Sequence, residues 1–231
     1  MRRRARKLRR RAKNMTKLQV ALDLTDFDKA ILIAGKSVYS GVDILEIGTP
    51  LLKAYGVFII RLFREIFPNT VILADTKTID AGRIEAETVF RSGADMMTLL
   101  GLAEDETILD ALSIAERYGG EIVVDTINID DIEKRVGEIV DLGIKNICLH
   151  IGVDVQRRRG IDISILLNEA AKLKKMYSDI RIFLAGGINP KNLPLIMKIK
   201  PDVVVVGGYI LRSKDPVKAV RKIKNILGDR Q

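Results

Sequence analysis

Eight short apolar runs recur along the chain at a nearly constant step: Leu18–Leu22, Val42–Leu45, Val71–Ala74, Met96–Leu99, Ile122–Val124, Ile147–Leu149, Ile180–Leu184 and Val203–Val206. Apart from Gln19, Asp43 and Arg181 they are continuously apolar rather than alternating, which is the pattern of strands buried on both faces of a parallel sheet. The segments between them repeat their apolar residues every 3.6 positions. That spacing predicts helices over Phe27–Tyr39, Leu52–Phe67, Asp80–Arg91, Glu104–Tyr118, Ile132–Leu142, Ser164–Tyr177, Asn189–Ile199 and Pro216–Leu227. Acids or Thr25-Asp26 precede several of these segments, and Gly93, Gly119 and Gly143 follow others, the expected punctuation of helix ends. Strands and helices alternating eight times predict an α/β fold, a (β/α)8 TIM barrel in a single domain. The rival is an open doubly wound sheet, but no Gly-x-Gly-x-x-Gly follows the first run.

Polar residues close nearly every apolar run at the same end. In order they are Asp23, Glu46, Asp75 with Lys77, Thr98, Asp125 and His150, then Gly186-Gly187 and Gly207-Gly208. In a barrel of this kind, the C-terminal ends of the strands form the active-site mouth. The stretch Asp75-Thr76-Lys77-Thr78-Ile79-Asp80 is the densest of these clusters, with two carboxylates bracketing one ammonium. Alone it reads equally as a salt-bridged strand end. The convergence of the other strand ends favours a charged reaction centre. Glu46 and Asp75 are hard oxygen donors suited to Mg²⁺; the bland alternative is repulsion relieved by Lys77 and water. The glycine pairs after the last two strands suit a phosphate, and Arg212 lies one turn further on; tight turns alone would also explain them. His150 is the sole histidine, which excludes a His-rich metal site and makes it a candidate proton carrier.

Composition adds three limits. The 231 residues carry 39 basic against 30 acidic side chains, a formal charge of +9. Nine of the basic residues fall in residues 1–14, and setting them aside leaves 30 against 30. The charge is therefore a property of a tail, expected to be disordered, with Met15 read as the real start and 15–231 as the catalytic barrel. Such a tail could touch nucleic acid, so a catalytically silent, nucleic-acid-binding barrel is one competing reading. Cys148, the only cysteine, allows no intrachain disulfide and reads as a small core residue. No run is long enough to span a membrane, and a cytoplasmic location is expected.

The motifs are Leu18-Gln19-Val20-Ala21-Leu22-Asp23, Glu46-Ile47-Gly48-Thr49-Pro50-Leu51, Ala74-Asp75-Thr76-Lys77-Thr78-Ile79-Asp80, His150-Ile151-Gly152-Val153-Asp154-Val155-Gln156 and Ala185-Gly186-Gly187-Ile188. Through them the chain resembles the 3-hexulose-6-phosphate synthases of the orotidine 5′-monophosphate decarboxylase superfamily, over roughly residues 18–227. The Asp-x-Lys-x-x-Asp element marks the superfamily. Glu46 stands where orotidine monophosphate decarboxylases carry lysine, which points to the Mg²⁺-dependent branch. The segment after His150 looks like the synthases rather than their sisters, the keto-gulonate phosphate decarboxylases (KGPDC). Arg157-Arg158-Arg159 and Tyr209 depart from the synthase pattern at the substrate mouth.

The resemblance implies an aldehyde-lyase that joins formaldehyde to ribulose 5-phosphate, or runs the reverse, through a 1,2-enediolate. It implies Mg²⁺, with Mn²⁺ able to substitute, on Glu46 and Asp75. Lys77 would stabilise the enediolate, Asp23 and Asp80 would orient Lys77, and His150 would carry the proton, with Asp125 the next candidate for that task. The phosphate would lie on Gly186, Gly187, Gly207 and Gly208, with Arg212, Asp125 and Asp154 as further residues of the mouth. Asp80 would reach a neighbour's site, so a homodimer with shared active sites is implied. A decarboxylase using the same enediolate is the nearest alternative.

Overall fold

The structure, a computed structural model, describes residues 15–228. The reading of the basic tail at 1–14 lies outside the described residues. Eight strands run in chain order: β1 Lys17–Leu22, β2 Ile44–Ile47, β3 Val71–Thr78, β4 Met96–Leu100, β5 Glu121–Asp125, β6 Asn146–His150, β7 Arg181–Ala185 and β8 Val203–Val206. All pair in parallel with their sequence neighbours, and β8 returns to β1 with Gln19 opposite Val205, closing the barrel. The helices are α1 Phe27–Tyr39, α2 Thr49–Tyr55, α3 Phe58–Ile66, α4 Gly82–Arg91, α5 Asp105–Tyr118, α6 Ile132–Asp141, α7 Val153–Arg159, α8 Leu167–Met176, α9 Leu193–Ile196, α10 Gly208–Leu211 and α11 Pro216–Leu227. The predicted TIM barrel is the observed fold.

The pleat of each strand sorts its apolar run into two cores. Leu18, Val20 and Leu22 of β1, like Leu45 and Ile47 of β2, face the helices and join the larger cluster. Ala21, Ile44, Leu73, Met96, Val123 and Phe183 point inward and fill the barrel. Each fully buried side chain of this size contributes roughly 1.5–3 kcal/mol. The same alternation carries Asp23, Glu46, Asp75, Asp125 and His150 to the inside at the C-terminal rim.

Several boundaries differ from expectation. The second strand starts at Ile44, not Val42, because Asp43 caps β1: its backbone N–H donates to Leu18 O at 3.0 Å, and its carboxylate accepts from Leu18 N at 2.8 Å. Glu46 therefore lies within β2. The helix expected over Leu52–Phe67 is two helices, broken at Gly56, whose φ of 65° and ψ of −174° suit glycine alone. The segment expected at Asn189–Ile199 has only one α-turn, α9, while Ser164–Tyr177 opens with a 3-10 turn, Ile163–Leu166, capped by Asp162. The arginine run forms a short helix of its own, α7, between β6 and that turn.

Candidate active site

Three carboxylates converge at the mouth. Asp23 follows β1, Glu46 ends the inner face of β2, and Asp75 lies in β3; one oxygen from each falls within 4.8 Å of the others. Glu46 and Asp75 are buried, whereas Asp23 is exposed as a whole residue although its carboxyl sits against the other two. Burial, then the nearby Asp75 and Asp23 charges, push the Glu46 carboxyl well above the usual range, against a hydrogen bond from Gln19 Nε2 at 2.6 Å. The Asp23 carboxyl is raised by desolvation and by Asp75. Gly48 makes room for this arrangement: a Cβ there would stand 2.4 Å from Asp23 Oδ1. An oxygen-only donor set with excess negative charge is what a hard divalent cation needs, so the residues fit one.

Beside the acids stands Lys77. The strand does not stop at Ala74 as the apolar run suggests. It continues to Thr78, and its pairing with β4 slips, with Ala74 opposite Met97 but Thr78 opposite Leu99. Lys77 takes up the slip with φ at 49°, a left-handed conformation that lysine rarely adopts. Thr98 holds it there: its hydroxyl accepts from Lys77 N at 3.0 Å and donates to Asp75 Oδ1 at 2.8 Å. Thr49, at the start of α2, donates to Asp75 Oδ2 at 2.7 Å. The ammonium then lies between Asp75 Oδ1 at 3.0 Å and Asp125 Oδ2 at 2.9 Å. Burial alone would lower its pKa, but those two carboxylates outweigh burial and raise it, so Lys77 is a fixed cation.

Within one chain, the Lys77 ammonium donates to neither Asp23 nor Asp80. Asp75 and Asp125 hold Lys77. Asp23 belongs with the acid trio, and Asp80 is exposed, its carboxylate accepting only from Ala81 N at 2.7 Å within the described chain. Asp80 also precedes α4 instead of starting it.

Asp125 links lysine and histidine. Its Oδ2 also meets His150 Nδ1 at 2.8 Å, and its Oδ1 accepts from Ile127 N at 2.9 Å. Although burial works to raise it, the His150 and Lys77 contacts bring its pKa down to about 2. An ionised carboxylate only accepts, so His150 Nδ1 carries the hydrogen, which leaves Nε2 as the ring nitrogen able to exchange a proton.

The glycine turns complete the rim. Gly186 has φ of 128° and Gly187 of 67°, and a Cβ on Gly186 would meet Ile151 O at 2.9 Å. Gln156 Nε2 donates to Ile151 O, while Asn189 and Asn192 donate to Gly187 O, so side chains pin this turn from both sides. Gly207 precedes α10, and the Arg212 guanidinium folds back over Gly208, where a Cβ would lie 2.5 Å from Nη1. Asp154, by contrast, pairs with Arg157 at 3.0 Å on the exposed side of α7, outside the acid cluster. Gln19, Thr49 and Gln156 are the residues that sequence reasoning passed over. All three stand inside the quoted motifs, yet they are uncharged, and only the closed barrel shows what each one touches.

A parallel barrel that gathers acids, a lysine and a histidine at its C-terminal mouth is an enzyme scaffold. The chain belongs to the Orotidine 5′-phosphate decarboxylase / HUMPS family, whose model matches residues 16–223. It is 38% identical over 208 residues to the 3-hexulose-6-phosphate synthase of Mycobacterium gastri, covering 90% of this chain and 98% of the relative. The crystal structure of 3-hexulose-6-phosphate synthase from Salmonella typhimurium superposes with a TM-score of 0.87 at 34% identity, over 93% of this chain and all of the other. The crystal structure of KGPDC from Streptococcus mutans gives a TM-score of 0.82 at 29% identity, over 93% and 98% of the two chains. The expectation of a lyase agrees with these curated relatives. No helix among the described residues is long and apolar enough to cross a membrane.

Proposed function

We propose that the protein joins formaldehyde to D-ribulose 5-phosphate to give D-arabino-3-hexulose 6-phosphate, and runs the reverse. The observation that carries this reading is the linked cluster of Asp23, Glu46, Asp75, Lys77, Asp125 and His150, in a chain whose relatives are named for that synthase. Asp23, Glu46 and Asp75 would hold Mg²⁺, or Mn²⁺ in its place; when bound, the cation would supply the positive charge that makes a ketose 1,2-enediolate accessible. Lys77 adds a second fixed charge where negative charge develops on the substrate oxygens. His150 Nε2 takes the C1 proton of the ketose, while Asp125 stabilises the imidazolium through Nδ1. C1 then attacks the carbon of formaldehyde, and His150 returns the proton to the new hydroxymethyl oxygen. Gly186, Gly187, Gly207 and Gly208 bring backbone to the phosphate, with Arg212 beside them. On this reading the substrate is a free phosphosugar and the reaction is cytoplasmic.

The reading extends to a homodimer. Val57 and Phe58 at the start of α3 and Ile84 on α4 are exposed, and Val57 and Ile84 line a cleft of about 260 Å³ that reaches back to Asp75 and Thr76. Ile79 and Asp80 are likewise exposed in the β3–α4 connection. An apolar face of this kind next to a site suits a second subunit.

The test is a substrate assay. Purified protein with Mg²⁺ is expected to consume formaldehyde only when ribulose 5-phosphate is present, and to release no CO₂ from orotidine monophosphate. His150→Ala should lose at least ~10²-fold in kcat. Formaldehyde left untouched while CO₂ is released from 3-keto-L-gulonate 6-phosphate would replace this reading by that of the sister decarboxylase. A nearly normal His150→Ala rate would move the proton transfer to Asp125.

A further inference from the structure

We propose that Gln19 is the positioning residue of the cation site, fixing Glu46 as a ligand; this rests on the reading of Asp23, Glu46 and Asp75 as metal donors. The inner face of β1 reads Gln19, Ala21, Asp23 from the interior to the mouth. Gln19 is opposite Ile44 and Ala21 opposite Glu46, so the longer Gln19 side chain reaches up one step to its neighbour strand. Its Nε2 donates to Glu46 Oε2 at 2.6 Å, and among the described residues this is the one hydrogen bond the Glu46 side chain makes. Asp75 is different, because Thr49, Thr98 and Lys77 all hold it. Among the described residues, Gln19 is therefore the one hydrogen-bond donor that orients Glu46.

The chemistry of the amide explains why glutamine serves here. Gln19 is 3% exposed, and its Oε1 has no partner among the described residues. A buried amide with an orphan oxygen is a poor filler between the apolar strand neighbours Ile44 and Val205. Its use is the donor. A lysine in its place would neutralise the carboxylate and compete with the cation. A carboxylate would add a fourth negative group. A neutral N–H fixes the rotamer and leaves the full charge of Glu46 for the metal, as groups behind metal ligands commonly do.

Binding of Mn²⁺ to the whole protein, followed by electron paramagnetic resonance without substrate, tests this directly. Gln19→Met keeps length and volume and removes the donor. It is expected to weaken Mn²⁺ binding by about tenfold or more, with far-UV circular dichroism and elution volume unchanged. In turnover, the variant should need more metal for half-activation while recovering most of kcat at saturating Mn²⁺, a split that loosened packing would not give. Gln19→Leu, the second variant, likewise removes the donor and should also bind Mn²⁺ more weakly, and it applies the same criterion if Gln19→Met does not fold. If the wild-type protein binds Mn²⁺ and a folded variant binds it within about twofold of wild type, the role of Gln19 is overturned and the cation site stands. If the wild-type protein binds none, the cation reading itself fails.

Discussion

Asp125 spends both carboxylate oxygens on fixed partners, His150 and Lys77 on one and Ile127 N on the other. This has a consequence for stability that can be separated from catalysis. Its pKa is lowered from 3.8 to about 2 in the folded chain, so the unfolded chain binds the proton more readily. The stabilisation is complete above the ordinary carboxylate value and is lost as pH falls through about 2. Asp125→Asn lacks this dependence. The stability gap between wild type and variant, read by urea titration, should hold near about pH 5 and narrow below about pH 4, by up to roughly 2 kcal/mol overall. A gap that widens with acid would contradict the assigned ion pairs. At this scale, the charged residues of the site were legible because Asp23, Glu46, Asp75, Lys77, Asp125 and His150 each end or follow an apolar run. Their wiring was not. Lys77 bonds to Asp125, which is 48 positions away, and no local pattern announces that pairing.

At the opposite end of the barrel, an element-level device repeats. Asp43, Asp95 and Asp202 each stand directly before an even strand, β2, β4 or β8. Each carboxylate accepts the backbone N–H of the preceding odd strand, from Leu18 at 2.8 Å, Ile72 at 2.7 Å and Ile182 at 2.9 Å. The backbone N–H of each aspartate donates back to the same residue, and Lys224, Arg64 and Lys174 supply the counter-charges. Only β6 departs, with Lys145 in that place. The clamp fixes strand starts far from the mouth. Asp95→Ala leaves the amide of buried Ile72 without its acceptor and should cost about 1–3 kcal/mol in a denaturant titration, with kcat unchanged. A fall in kcat at full stability would show that this end communicates with the site. Element positions were largely legible from periodicity, but this repeat was not, since three aspartates in varied contexts show no period until the strands are paired. The break at Gly56 was hidden for a related reason: apolar residues continue with helical spacing on both sides of it.

For the whole molecule, the count of eight apolar runs was enough to foresee a closed barrel, because parallel strands buried on both faces leave few other architectures. What one chain cannot express is how two of them meet. Asp80 belongs to the Asp-x-Lys-x-x-Asp element, yet it makes no hydrogen bond or ion pair with Lys77 among the described residues, and it is exposed, as are Ile79 and Ile84. If the proposed dimer is two-fold and Asp80 reaches across it, each site takes Lys77 from one subunit and Asp80 from the other. Asp80→Ala and Lys77→Ala homodimers would then both be nearly inactive, because every site in each lacks one group. In a heterodimer of the two, one site lacks both groups and the other is intact. Random exchange between equal amounts makes about half of all dimers mixed, so about a quarter of the wild-type activity should return. Two different affinity tags on the subunits would verify the exchange. An inactive mixture with proven heterodimers would place Asp80 outside the neighbour's site, and a single monomeric species in sedimentation would remove the shared site altogether.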